Sequence, residues 1–126
     1  MKDKISIIVP CFNEEACIDE FYRKTQQVAE EMRMKEGADY ELLFVDDGSC
    51  DGTLDCLRKI SQADSRCRFI SFSRNFGKEA AMYAGLNEAA GNFAVFMDAD
   101  LQPPPALLPK MYAAVKNGEY DCCGGK

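Results

Sequence analysis

Short apolar runs alternate along the chain with longer segments in which apolar residues recur every three or four positions. The runs are rich in β-branched and aromatic residues and predict strands, whereas the recurring spacing is typical of amphipathic helices. The predicted strands span residues 5–10, 40–45, 68–72, 93–97 and 120–124. The predicted helices span residues 14–35, 53–64, 78–90 and 105–117, with Asn13 as the N-cap of the first helix and Gly37 at its end.

The strict alternation of strands and helices predicts an α/β fold, a mostly parallel sheet with helices on both faces. Crossovers should be right-handed, and the expected strand order is 3-2-1-4. Ligands bind such sheets at the carboxyl ends of the strands, where strands one, two and four would share one crevice. We expect residues 1–126 to form one domain that is cut within or just after its fifth strand, as part of a longer protein.

The charge balance limits the ligands that the chain can bind. Its 126 residues include 15 basic and 21 acidic ones, a net charge of −6, which argues against a nucleic-acid partner because phosphate backbones are bound by clustered Lys and Arg. A small phosphorylated ligand is compatible with this charge, since a divalent cation can supply the positive charge. The sequence has neither a signal peptide nor an apolar stretch of about 20 residues, so we expect a cytoplasmic protein without a membrane span.

The seven cysteines form no C-x-x-C pair, which argues against a zinc site. Their apolar neighbours predict reduced, buried thiols, as is usual in the cytoplasm. The chain contains no histidine. The commonest general base is therefore missing, and any catalysis has to use other groups.

The segment Asp98-Ala99-Asp100-Leu101-Gln102 closes the fourth predicted strand and is the strongest candidate for a metal site. Alternate side chains of an extended chain point the same way, so Asp98, Asp100 and Gln102 would converge on one side. Their carboxylate and amide oxygens suit Mg²⁺ or Mn²⁺. Such an ion would stabilise the charge of a departing nucleotide diphosphate. The alternative interpretation is a solvated loop whose carboxylates only cap the next helix.

Other unusual residues also follow strands. Asp46 and Asp47 end the second strand, where one carboxylate could accept hydrogen bonds from a base or a ribose, or where both could simply form a turn before the second helix. Phe12 follows the first strand and could pack on a nucleobase or act as a hydrophobic staple. Arg74 and Lys78 flank the start of the third helix, where they could meet phosphate or remain solvated.

Four ordered segments are spread along most of the chain: Val9–Glu15, Val45–Thr53, Ser73–Lys78 and Met97–Gln102. Together they resemble the motifs of family 2 inverting glycosyltransferases of the GT-A fold. The strings S-R-N-F-G-K and D-A-D-L-Q are most similar to the polyprenyl-phosphate branch, which includes dolichol-phosphate mannosyltransferases and bactoprenol glucosyltransferases. The resemblance implies that this chain is the Rossmann-like, nucleotide-binding half of a GT-A fold.

The resemblance also implies roles for individual residues. Pro10, Phe12 and Glu14 match positions that hold the nucleobase, although the family usually has Tyr where this chain has Phe12. Asp46 matches the carboxylate that contacts the base, and Asp47 lies beside it. Asp98 and Asp100 match the catalytic D-x-D pair, with Asp98 also contacting the nucleotide, and Asp100 and Gln102 match metal ligands. Arg74 and Lys78 are candidate contacts to the diphosphate because of their position near the start of the third helix.

The function implied is transfer of a hexose from a UDP- or GDP-linked sugar to an acceptor such as a polyprenyl phosphate, with Mg²⁺ or Mn²⁺ assisting departure of the nucleotide diphosphate. Acceptor-site residues and any catalytic base would lie beyond this chain, and the parent protein would be anchored at the cytoplasmic face of a membrane. The rival functions are a sugar nucleotidyltransferase, a phospho-acceptor signalling domain and a nucleotide-binding fragment without catalysis. The nucleotidyltransferase class expects a glycine-rich loop after strand one, which Pro10-Cys11-Phe12-Asn13 is not.

Overall fold

A computed structural model describes residues 3–99, 108–116 and 122–124, and strands alternate with helices throughout. The strands are β1 (Lys4–Cys11), β2 (Asp39–Asp46), β3 (Cys67–Ser71), β4 (Phe93–Phe96) and β5 (Cys122–Gly124). The helices are α1 (Ile18–Glu36), α2 (Thr53–Ala63), α3 (Lys78–Glu88) and α4 (Leu108–Lys116). Every predicted element is present, which confirms the α/β prediction. Predicted residues 105–107, 117, 120 and 121 lie outside the described part of the chain.

The five described strands form one sheet in the order β3-β2-β1-β4-β5, and every pair of neighbours is parallel. The expected order 3-2-1-4 is therefore confirmed, and β5 is added outside β4. Ile8 of β1 pairs with Leu43 of β2 on one side and with Phe96 of β4 on the other. Because all strands run the same way, the carboxyl ends of β1, β2 and β4 lie at one edge of the sheet.

One face of the sheet carries the main hydrophobic core. Its members are buried side chains from alternate strand positions and from three helices. They include Ile7 and Val9 of β1, Phe44 of β2, Phe21 of α1, Leu57 of α2 and Leu108 of α4. The rings of Phe21 and Phe44 meet edge to face with centroids 6.2 Å apart. This packing holds α1, α2 and α4 against the same face of the sheet.

Helix α3 covers the other face, through the small residues Ala81 and Gly85. A Cβ atom added to Gly85 would lie 2.4 Å from Cγ2 of Ile8, closer than any real contact. The absence of a side chain at Gly85 therefore lets α3 lie directly on β1. With helices on both faces, the sheet is buried on both sides, which explains why Leu42, Leu43, Phe44 and Val45 of β2 are all buried.

A buried carboxylate ties the amino ends of the strands together. Glu41 is 3% exposed and accepts hydrogen bonds from Ser6 Oγ at 2.6 Å, from the Ala90 N–H at 2.7 Å and from Arg68 Nε at 3.0 Å. Ser6 Oγ in turn accepts from the Gly91 N–H at 2.8 Å. Burial opposes ionisation of Glu41, but these hydrogen bonds outweigh it and lower the pKa of its carboxyl. The network fixes the connection from α3 to β4.

The start of α1 differs from the prediction. Asn13 is not the N-cap, since α1 begins at Ile18 and its N-cap is Cys17. Asn13 instead adopts a left-handed φ of 53° and turns its side chain towards the loop after β2. Asp19 and Glu20, rather than Glu14 and Glu15, occupy the acidic first turn. The end of α1 at Gly37 is as predicted.

Two further predictions concern cysteine burial and membrane spans. Cys11 and Cys67 are buried, as expected, and Cys17 and Cys56 are partly so. Cys50 is exposed, so the expectation of uniformly buried thiols is wrong there, because Cys50 lies in the loop between β2 and α2 rather than in an element. Among the helices described, none has the length and apolar character needed to cross a bilayer.

Candidate functional site

An open cleft of about 250 Å³ lies at the edge formed by the carboxyl ends of β1, β2 and β4. Strand ends supply most of its wall, and the first residue of α3 supplies the rest. The described residues that line it are Pro10, Cys11, Phe12, Glu14, Asp47, Lys78, Asp98 and Ala99. The sequence motifs at three strand ends are thus brought together around one cavity, where ligands of parallel α/β sheets bind.

The only described cation that lines this cleft is Lys78, and it pairs with Asp98. Lys78 Nζ lies 2.8 Å from Asp98 Oδ1 and 3.1 Å from Oδ2. The side chain of Lys78 is 59% exposed and that of Asp98 is 31% exposed. A partly buried carboxylate is therefore balanced by an ammonium that remains in contact with water, so both groups are accessible to a charged ligand.

Asp47 holds the backbone that precedes α3. The residue is 4% exposed, and its two carboxylate oxygens accept hydrogen bonds from the N–H groups of Phe76 at 2.7 Å and Gly77 at 3.0 Å. The loop also lies directly on Gly48, because a Cβ atom there would come within 2.3 Å of the Arg74 carbonyl carbon. Gly48 has a φ of 73°, which favours glycine. Asp47 and Gly48 together fix the position of Lys78.

The loops after β1 and β2 are joined by reciprocal hydrogen bonds. The Asn13 N–H donates to Ser49 Oγ at 2.9 Å, and Asn13 Oδ1 accepts from the Cys50 N–H at 2.8 Å. The Glu14 N–H donates to Thr53 Oγ1 at 2.8 Å. Each loop therefore satisfies backbone groups of the other. This junction orients the residues around Phe12 at the mouth of the cleft.

The predicted nucleobase-binding residues divide into two groups. Pro10, Phe12 and Glu14 line the cleft, and Phe12 is 43% exposed, so its ring is available for stacking. Asp46 lies beneath the surface, 2% exposed, and its Oδ1 accepts from the Ser49 N–H at 3.3 Å. Next to it, burial, reinforced by the carboxylates of Glu14 and Asp46, raises the pKa of the Cys11 thiol well above its ordinary value.

Arg74 takes a different position from Lys78. Its guanidinium carbon lies 4.6 Å from the centroid of the Phe76 ring, which is a cation–π contact. Arg74 is exposed and is not among the described residues that line the cleft. The structure therefore brings Lys78 to the site but not Arg74.

Of the predicted metal-binding segment, Asp98 and Ala99 are described, whereas Asp100 and Gln102 lie outside the described residues. In the described part of the chain, no three His, Cys, Asp or Glu side chains are grouped so that they could hold a metal ion. The one described member of the set, Asp98, nevertheless fits a cation. Its carboxylate faces the cleft, and a positive charge already lies 2.8 Å from it.

Residues 6–126 match the protein family described as glycosyl transferase family 2. The chain belongs to glycosyl transferase family 2. This family 2 chain is 45% identical over 113 residues to YkcC of Bacillus subtilis, an uncharacterized glycosyltransferase. The match covers 90% of the chain but only 34% of the length of YkcC.

Solved structures with a similar fold include glycosyltransferases. A mannosyltransferase from Pyrobaculum calidifontis, PcManGT, in complex with GDP-Man and Mn²⁺, superposes with a TM-score of 0.74 at 25% identity, over 91% of this chain and 33% of that one. Residues 1–349 of TarS from S. aureus superpose with a TM-score of 0.64 at 25% identity, over 89% of this chain and 33% of that one. The family 2 chain therefore has the Rossmann-like part of the GT-A fold.

Sequence reasoning did not identify several features of the site. Cys11 is predicted only as one of the buried thiols and yet contributes to the cleft wall, and Ala99, for which no role is predicted, contributes as well. The hydrogen bonds from Phe76 and Gly77 to Asp47 were also missed. Their only signal in the sequence is the glycine next to Asp47 and the glycine before Lys78, both typical of tight loops.

Proposed function

We propose that this chain binds the nucleotide-sugar donor of a glycosyltransferase that moves a hexose from a UDP- or GDP-linked sugar to an acceptor. The observation that carries the proposal is the Lys78–Asp98 pair at the carboxyl edge of the sheet in a family 2 chain. The complex of the similar mannosyltransferase with GDP-Man and Mn²⁺ supports it. Because the chain spans 34% of YkcC, the activity is proposed for the protein that contains this part.

In the proposed complex, Pro10, Phe12 and Glu14 hold the nucleobase. The exposed ring of Phe12 offers a stacking surface, and a base has a π-face whatever its identity. Asp46 contributes in one of two ways. It accepts a hydrogen bond from the base, or it supports the base through the loop whose Ser49 N–H it binds. Lys78 then contacts the diphosphate as a compact positive charge. Arg74 is left outside this proposal, since it packs on Phe76.

We further propose that Asp98, Asp100 and Gln102 hold Mg²⁺ or Mn²⁺ when the donor is bound. A divalent ion supplies charge stabilisation for the departing nucleotide diphosphate. Asp98 orients the donor at the cleft, and the Lys78 ammonium adds positive charge beside the same phosphates. Because the chain contains no histidine, the proposal gives the charge chemistry at the cleft to carboxylates and Lys78.

The proposed acceptor is a polyprenyl phosphate. The support is the pair of strings Ser73-Arg74-Asn75-Phe76-Gly77-Lys78 and Asp98-Ala99-Asp100-Leu101-Gln102, which resemble those of the polyprenyl-phosphate branch. An acceptor phosphate carries its own charge and needs basic residues, which this acidic chain supplies at its cleft only through Lys78 among the described residues. The acceptor-binding residues are therefore expected in another part of the protein.

Titration calorimetry with UDP and GDP tests the donor proposal. We expect one of the two nucleotides to bind in the presence of Mn²⁺ and to bind at least about tenfold more weakly in Asp98→Asn, which removes a charged partner. Asp55→Asn is the matched control, because it removes an exposed carboxylate on α2 that pairs with Arg58 and is not among the described residues that line the cleft. A folded wild-type chain that binds neither nucleotide with Mn²⁺ would contradict the proposal.

A further inference from the structure

Lys78 Nζ lies within 3.1 Å of both carboxylate oxygens of Asp98. Resting on the proposed function, we propose that Lys78 is an exchangeable counter-ion. It neutralises Asp98 in the donor-free protein and moves to the diphosphate when nucleotide and divalent ion bind. Metal and nucleotide binding are thereby coupled, and the divalent ion alone is held weakly.

The geometry of the pair supports exchange. Both carboxylate oxygens of Asp98 are within 3.1 Å of Lys78 Nζ, so the ammonium covers the face of the carboxylate that points into the cleft. The Lys78 side chain is 59% exposed and the Asp98 side chain 31%. Lys78 has a flexible four-carbon stem in contact with water and can leave at little cost, whereas Asp98 stays.

Electrostatics prevents the ammonium and a divalent ion from sharing the carboxylate. Two positive charges repel one another more strongly as they approach, and a divalent ion doubles the repulsion that a monovalent ion would exert on the ammonium. Lys78 must therefore move away when a divalent ion binds Asp98. A diphosphate in the same cleft supplies the negative charge to which the ammonium can move.

The backbone at Lys78 does not need to move during this exchange. The two residues before it, Phe76 and Gly77, are held by the buried carboxylate of Asp47. Lys78 is also the first residue of α3, which is packed on the sheet through Ala81 and Gly85. The proposed change is therefore confined to side-chain torsions of Lys78.

The test measures Mn²⁺ binding to the 126-residue chain by the EPR signal of free Mn²⁺, first without nucleotide. Lys78→Met should raise the affinity for Mn²⁺ alone by about two- to fivefold, the range expected for removal of a partly exposed ion pair. The control is Lys24→Met, which makes the same charge change at an exposed ion pair with Glu20 on α1. It should leave the affinity within a factor of about 1.5 of wild type, by charge screening over distance.

The second arm measures UDP and GDP binding at saturating Mn²⁺. Lys78→Met should lower the affinity for the nucleotide by at least about tenfold, the loss expected when a charged contact to phosphate is removed. Lys24→Met should leave this affinity unchanged. Lys78→Arg, which keeps the charge, should bring both affinities most of the way back to the wild-type values. By linkage, the factor by which nucleotide raises Mn²⁺ affinity must equal the factor by which Mn²⁺ raises nucleotide affinity, and both must be smaller in Lys78→Met.

The opposite signs of the two effects distinguish exchange from simple phosphate binding. If Lys78→Met leaves the affinity for Mn²⁺ alone equal to that of Lys24→Met, the exchange proposal is overturned, even when nucleotide binding is weakened. If neither UDP nor GDP binds to the wild-type chain with Mn²⁺, the proposed donor function fails instead. The measurement with Mn²⁺ alone still decides whether Lys78 competes for Asp98.

Discussion

Replacing Asp47 by alanine removes the carboxylate that holds the loop before α3. Its two oxygens accept from the N–H groups of Phe76 and Gly77 at 2.7 Å and 3.0 Å, and Asp47 is 4% exposed. A hydrogen bond to a charged group contributes about 1.5–3 kcal/mol, which gives at least about 3 kcal/mol for the pair. Phe76 is itself exposed, so its N–H can be rehydrated when the loop opens. We therefore expect a loss of about 2–3 kcal/mol in the free energy of unfolding.

Urea denaturation measures the global loss, and amide hydrogen exchange shows where it arises. In Asp47→Ala the N–H groups of Phe76 and Gly77 should exchange faster than in the wild type. The exchange of the β1 N–H groups should change only as much as the loss of global stability requires. Asp47→Asn should lose at least half as much, because its amide keeps one acceptor and turns an NH₂ group towards the other N–H. The control is Asp55→Ala, an exposed carboxylate paired with Arg58, which should cost less than about 1 kcal/mol. Wild-type stability and unchanged exchange in Asp47→Ala would refute the assignment of Asp47 to the loop.

Two further predictions concern buried groups. The folded-state pKa of Glu41 lies below its ordinary value of 4.5, so its ionisation stabilises the fold above that pH, and the contribution is lost as pH falls through the lowered value. Glu41→Gln should lower the free energy of unfolding by about 2 kcal/mol at pH 7. When the urea midpoint is plotted against pH, its decrease at acidic pH should be smaller in this variant than in the wild type, and an equal decrease would contradict the assignment. In thiol labelling at pH 7.5 with peptide mapping, exposed Cys50 should react well before Cys11, whose raised pKa and burial keep it protonated; equal rates would refute this.

The fold was predictable because its strongest determinants are local. Segments such as Leu42–Val45 are apolar at every position, which is typical of strands covered on both faces, and the alternation with helices fixes the parallel topology. The start of α1 was not predictable in the same way. Asn13 followed by two acidic residues has the composition of an N-cap, but its partner is the Cys50 N–H, 37 residues away in the chain. Nothing in the local sequence distinguishes these two uses of an asparagine.

The carboxylates at the strand ends raise the same difficulty at the site. Asp46, Asp47 and Asp98 were all predicted ligand contacts, since aspartates at this edge of a parallel sheet commonly meet a ligand. The structure separates them by their partners. Asp47 has both oxygens occupied by backbone N–H groups, Asp46 is buried beside the Ser49 N–H, and Asp98 faces the exposed ammonium of Lys78 in the cleft. The sequence predicted where the acidic groups gather, whereas their division between support and binding depends on long-range hydrogen bonds.

This division explains how the cleft combines a fixed frame with adjustable contacts. The side chains of Asn13, Asp47 and Thr53 accept hydrogen bonds from backbone N–H groups of neighbouring loops. The backbone around the cleft is therefore held in place before a ligand binds. A frame fixed in advance reduces the ordering cost of binding. Among the described residues that line the cleft, the exposed side chains are Phe12 and Lys78, an aromatic ring and a long cation. These two kinds of group suit the base and the diphosphate of the proposed donor, and the frame leaves both exposed to solvent.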